Sequence, residues 1–362
     1  MSRYLKITAA ILIATTHGAS AACTHLSLRK PWTALTEVEK ADYISSTLCL
    51  MDPAQAPSQT HFAGAKSRWD ELQAAHVAQV QFIHHVGGFF PWHRWFLSIH
   101  EDLLRSECGY TGPYPYWDEQ SDFELGPLQQ ASIFSADPIT GFGSGIVDAN
   151  NCTIDGAFAD KLFDLTISLE RVPPGQCLMR QLSQTQFELT SQPYVDACLA
   201  FEDFVSFSDC LGGDMQPHGG GHVAVGGTMG NPSLSPADPL FFMHHNNLDR
   251  LWWEWQLKDK SRLTAIGGPN VAHTGDSVAY QPASLPVSAF LPYFGDNGNE
   301  TTLNHSLWTA GIRENVTIAE VLDLHGDRIC ADFEQEGAGA GDAQDAVKKL
   351  SSVMLFLNKI FS

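Results

Sequence analysis

The stretch FIHHVGGFFPWHRWF, residues 82–96, sets three histidines among residues otherwise suited to burial. Eleven of its other twelve residues are aromatic, aliphatic, glycine or proline. Burying an amide or hydroxyl without a hydrogen-bond partner costs on the order of 2–7 kcal/mol, and an imidazole is likewise polar, so any fold that hides this segment must supply partners for it. Nine of the fifteen histidines cluster in this way: His76, His84, His85, His93 and His100; His218 and His222; His244 and His245. Singly, each reads as a hydrogen-bonded core histidine. Together they read as candidate metal ligands.

Spacing narrows the choice. His84 follows His76 by eight residues and His93 follows His84 by nine. At about 100° per residue these offsets are roughly 80° and 180°, so one straight helix cannot converge all three. Two helices broken at Gly87-Gly88 can, with Pro91 suited to the first turn of the second. His100 is a rival seven residues after His93, but it adjoins Glu101 and Asp102 at what reads as a polar edge. His218 and His222 share a helical face across GGG, where each glycine costs about 1 kcal/mol against alanine. A bound metal would help hold such a turn; the alternative is a flexible loop. In FFMHHNNLDRLWWEWQLK (241–258), His245 lies on the stripe of Leu248, Trp252 and Trp255, so it is the better ligand than His244.

Six neutral imidazoles without carboxylate or thiolate argue against the usual zinc sites and against a non-haem iron triad. Two sets of three suggest two metals, and imidazole suits copper, which handles dioxygen. The remaining pattern is mainly helical with long loops: helices over 67–105, 193–211 and 241–258, loop-rich stretches over 109–160 and 219–239, and short strands near 285–290 and 314–322.

The N-terminus has Arg3 and Lys6, a ten-residue apolar stretch and a small-residue site at Ala19–Ala21. This predicts a signal peptide over 1–21 and a secreted mature chain from Ala22. Eight scattered cysteines without a CxxC predict up to four disulfides. Sequons at Asn151, Asn299, Asn304 and Asn315 are candidate glycosylation sites. A net charge of −20 argues against nucleic acid as a partner. The domain is expected over 22–335, followed by a flexible linker and short apolar tail over 336–362, too short and interrupted to span a membrane. Oligomeric state is not legible.

FIHHVGGFFPWHRWF, PHGGGHVAVGG and SPADPLFFMHHNNLDRLWWEWQ together resemble the type 3 copper proteins (tyrosinase, catechol oxidase and haemocyanin), above all short fungal secreted members. PYPYW at 113–117 is a weaker match. The resemblance spans roughly 60–260. It implies a mainly α fold in which a four-helix bundle holds two copper ions. His76, His84 and His93 would bind the first copper, and His218, His222 and His245 the second. Asp249, four residues after His245, could then fix an imidazole by hydrogen bond. The implied activity is oxidation of a small phenolic substrate by O2 to an o-quinone-type product.

Four departures from the family pattern refine that expectation. Phe82 stands two before His84 and 77–83 contain no cysteine, so the family's Cys–His crosslink is not expected; Cys23 is expected in a disulfide instead. Gly219 follows His218 where monophenol-hydroxylating members often carry asparagine, and no glutamate lies just upstream, although Asp209 or Asp214 could substitute. Val223 after His222 gives an apolar mouth. The chain ends about 117 residues after His245, so the lid domain of longer members is not expected. The expected reaction is therefore o-diphenol or o-aminophenol oxidation. A monophenol-hydroxylating tyrosinase is the alternative, and a haemocyanin-like oxygen carrier a more distant one.

Overall fold

The structure, a computed structural model, describes residues 23–60, 62, 64–159, 161–163, 175–271 and 295–334. The signal peptide, the linker and tail, and the strand expected at 285–290 lie outside these residues.

Helices dominate and local sequence starts them. Helix α1 (Glu37–Met51) opens on a capping box in which Thr36 and Glu39 satisfy each other's backbone N–H groups. Helix α2 (Arg68–Val77) opens the same way on Ser67 and Asp70. One turn, α3 (Val80–Ile83), follows, and then α4 (Phe89–Cys108), which stops at Gly109 in the left-handed conformation. The expected break is present but begins at His84, which is extended. Gly87 is glycine for a packing reason: a Cβ there would lie 2.0 Å from the Gly267 carbonyl oxygen.

Beyond α4 come α5 (Glu119–Leu125), α6 (Gln184–Phe187), α7 (Gln192–Leu199), α8 (Phe204–Leu211), α9 (Pro217–Val225), α10 (Leu240–Leu257) and α11 (Ile318–Val321). Helix α10 packs on α4 and α9, and α1 packs on α4 and α2. Strand β1 (Ser27–Pro31) lies between β2 (Tyr114–Tyr116) and β7 (Ala331–Phe333), both parallel to it. Two antiparallel pairs complete the strands, β3 (Leu162–Phe163) with β4 (Gln176–Cys177) and β5 (Ser306–Leu307) with β6 (Val316–Thr317). The expected strand near 314–322 is thus only β6, running straight into α11.

Residues 217–225, partly read as loop, are helical despite three glycines. Pro217 at the first turn favours the helix. The glycines are there because three neighbours crowd them. A Cβ would lie 1.9 Å from the Asp214 carbonyl oxygen at Gly219, 2.6 Å from Leu189 Cβ at Gly220 and 2.3 Å from His244 Cε1 at Gly221. The propensity cost, about 3 kcal/mol for three glycines, is accepted so that α9 can sit this close.

All eight cysteines pair: Cys23–Cys330, Cys49–Cys108, Cys152–Cys177 and Cys198–Cys210. Cys23–Cys330 joins the two ends of the described fold beside the β1–β7 pairing. Among the described residues, no helix is long and apolar enough to cross a membrane.

Candidate metal centre

Two groups of imidazoles meet in the core. His76 comes from α2, His84 from the break after α3, and His93 from the first turns of α4. Their ring centroids lie 5.0 to 5.8 Å apart. His218 and His222 come from α9 and His245 from α10, with centroids 4.7 to 5.3 Å apart. The nitrogens of each group fall within 4.8 Å of one another. The groups face each other: His93 stacks on His245 at 4.3 Å, and His84 lies 6.0 Å from His218.

The protons of four of these rings are placed by the backbone. A carbonyl oxygen only accepts, so Nδ1–H donates from His84 to Val80 (2.8 Å), from His93 to Phe89 (2.8 Å), from His218 to Gly212 (3.0 Å) and from His222 to Met229 (2.9 Å). Each neutral ring then offers an unprotonated Nε2. The Nε2 atoms of His93 and His218, and both nitrogens of His76, are buried without a hydrogen-bond partner. His222 Nε2 and His245 Nε2 point at one another across 3.1 Å. His222 Nε2 carries no proton, because its Nδ1–H donates to Met229, so this atom can accept from His245 or bind a cation. This donor set fits a pair of copper ions.

Burial pushes the ring pKa values down, His84 to about 3 and the other five well below the ordinary imidazole range. His100 and His244 are also held at about 3 by burial. An unfolded imidazole takes a proton near 6.5. The stability from burying these rings neutral is therefore complete above about 6.5 and lost as pH falls from there toward 3. The thermal midpoint of the copper-free protein is expected to drop between pH 7 and 5.5, above the ordinary carboxylate range. A flat profile there would mean the rings are solvated.

The fold gives the other candidate residues different partners. His100 is fully buried rather than at a polar edge, and it belongs to neither group; its Nδ1 bonds the Tyr114 hydroxyl at 2.7 Å and its ring stacks on Phe242. His85 has positive φ (55°) and reaches Asp214 at 3.2 Å. Asp249, expected beside an imidazole, meets two arginines among the described residues. Its Oδ2 accepts from Arg29 at 2.7 Å and its Oδ1 from Arg94 at 2.6 Å, because α10 turns that face toward β1 and α4. Sequence reading missed these two arginines, and it missed Glu119, which bonds His244. Arg94 lies within the WHR motif; Arg29 and Glu119 carried no local signal.

The small exposure left in the two groups falls on His84 (6%), His218 (7%) and His222 (9%). Val223 is 42% exposed beside them. Phe89 packs on His93 and His218, and Phe241 on His76 and His245, forming dry walls. Phe89 also floors a cavity of about 150 Å³ that is lined by His85, Val86, Ser208, Asp209, Gly212 and Gly213.

Comparison with known proteins agrees with this geometry. Residues 66–258 match the model of the common central domain of tyrosinase. Tyrosinase P of Aspergillus terreus is 31% identical over 291 residues, covering 68% of this chain and 80% of that protein. N-acetyl-6-hydroxytryptophan oxidase of Emericella nidulans is 27% identical, covering 92% and 99%. A polyphenol oxidase variant from Thermothelomyces thermophila shares the fold, with a TM-score of 0.66 at 24% identity over 86% of this chain and 89% of that one. The chain belongs to the tyrosinase family. It is an oxidoreductase, and its cofactor is the type 3 dinuclear copper centre.

Proposed function

We propose that this protein oxidises o-diphenols or o-aminophenols to o-quinone-type products with O2, and that His76, His84 and His93 hold one copper and His218, His222 and His245 the other. The observation that carries the reading is the convergence of buried imidazoles with free Nε2 atoms in two facing groups. A copper pair held there would supply the redox chemistry that couples the two-electron oxidation of each of two substrate molecules to the four-electron reduction of one dioxygen to water. The chain's own residues do the rest. Backbone carbonyls aim the imidazoles. Phe89 and Phe241 exclude water. The phenolic ring enters where His84, His218 and His222 retain exposure, past Val223, whose apolar side chain gives no anchor for a substrate carboxylate.

Gly219 supports a diphenol rather than a monophenol substrate. An asparagine there would place Cβ on the Asp214 carbonyl oxygen, so the position cannot carry a side chain without moving the 213–216 loop. Asp209 and Asp214, the possible substitutes, sit exposed on the rim. Export is part of the same proposal, supported by four disulfides and by exposed asparagines at all four sequons.

The test is oxygen uptake by copper-loaded protein with 4-tert-butylcatechol, 2-aminophenol and 4-tert-butylphenol, with N-acetyl-6-hydroxytryptophan added because one relative is named for it. Uptake is expected with the first two and not with the simple monophenol. Gly219→Asn is expected to lose about 1–3 kcal/mol of stability through overpacking without acquiring uptake on the monophenol. Rapid monophenol uptake by the unmodified protein would overturn the substrate assignment.

A further inference from the structure

His244 lies within the second group of imidazoles by distance, yet neither of its nitrogens is free. Nδ1 meets Glu119 Oε1 at 2.5 Å, and Nε2–H donates to the backbone carbonyl of His218 at 3.1 Å. Both side chains are fully buried. Glu119 Oε2 accepts in turn from Asn247, two residues beyond His245. The Glu119 segment is stitched to α10 as well, since Trp117 N–H donates to the Met243 carbonyl. From the other side, Gly221 rests on the pair: an added Cβ would lie 2.3 Å from His244 Cε1 and 2.8 Å from Glu119 Oε1. The pair therefore sets both the distance of α9 from α10 and its register along it.

We propose that Glu119 and His244 are a buried positioning pair that holds the His218 backbone, and with it α9, at the spacing the second copper site requires, and that His244 is not itself a ligand. This rests on the reading that His218, His222 and His245 bind copper. An apolar pair of the same volume would avoid the desolvation cost of two ionisable groups. It could not direct a hydrogen bond at one peptide carbonyl. Partners standing behind metal ligands typically contribute 10–100-fold in metal affinity, and this pair acts through the main chain of one ligand and against the helix carrying two.

The experiment follows copper release from loaded protein after chelator is added, in His244→Phe, Glu119→Leu, Glu119→Gln and His245→Ala. His244→Phe is expected to load two coppers per chain in excess metal, to release one of them about 10–100-fold faster than the unmodified protein, and to release the other at the unmodified rate. Glu119→Leu should do the same, and it keeps the test open if His244→Phe does not fold. Glu119→Gln should stay close to the unmodified rate, because an amide can meet Nδ1 as donor or acceptor. Only one copper loaded in His244→Phe would make His244 a ligand and overturn the proposal. Equal acceleration of both coppers would reduce the pair to general packing, and an unchanged rate would remove its role. Two coppers retained in His245→Ala would instead overturn the underlying ligand assignment.

Discussion

Replacing His245 with alanine is expected to lower copper from two ions per chain to one and to take oxygen uptake to background. His245 is 2% exposed, its Nε2 faces that of His222 at 3.1 Å, and its ring stacks on His93 across the two groups. Alanine leaves the second group with two imidazoles and no nearby replacement, because both nitrogens of His244 are engaged. Residues that merely support ligands cost 10–100-fold, so removing a ligand should cost more than about 100-fold in activity. His100→Ala is the control. It is equally buried, but it bonds Tyr114 and stacks on Phe242, so it should keep both coppers. Metal analysis and oxygen uptake decide the matter, and two coppers in His245→Ala would sink the ligand assignment.

Asp249→Ala is expected to destabilise the protein by about 3–5 kcal/mol, the usual effect of stripping one partner from a buried ion pair. Asp249 lies under two guanidinium groups, Arg29 and Arg94, all three buried. Arg94 also lies over the Trp252 ring at 3.7 Å and donates to the Leu322 carbonyl at 2.5 Å. The carboxylate thus ties β1, α4 and α10 together, and through Arg94 the 321–322 segment. Alanine would leave two cations in the core facing each other. Urea unfolding of copper-free protein measures the loss. A change under about 1 kcal/mol with copper affinity lowered would instead favour the role expected from sequence, in which Asp249 orients an imidazole.

The two outcomes for Asp249 mark where sequence reading reaches its limit. Periodicity gave the helices expected over 67–105, 193–211 and 241–258 because their causes are local, such as the apolar stripe of α10 and a break in the chain before α4; α1, which a capping box at Thr36 starts, was not expected. The preference for His245 over His244 came from the same local periodicity, since two adjacent helical residues diverge; in the fold both are buried, and what distinguishes them is that both nitrogens of His244 are engaged. Chemical type was legible as well, because six clustered imidazoles in segments built for burial need a shared partner.

What only the tertiary structure decided is which long-range partner each side chain meets. The direction of Asp249 depends on β1, about 220 residues away in sequence, and no local pattern encodes that. Glu119 and His244 pair across 125 residues. The three glycines of α9 look like a weak helix in isolation and become necessary only once Asp214, Leu189 and His244 press on them. The sequence by itself determined the main helices and the copper chemistry, because propensity, periodicity and ligand chemistry act over one or two turns. The structure decided the supports behind the donors, because hydrogen bonds and close packing are satisfied in space, by whatever residue the fold brings near.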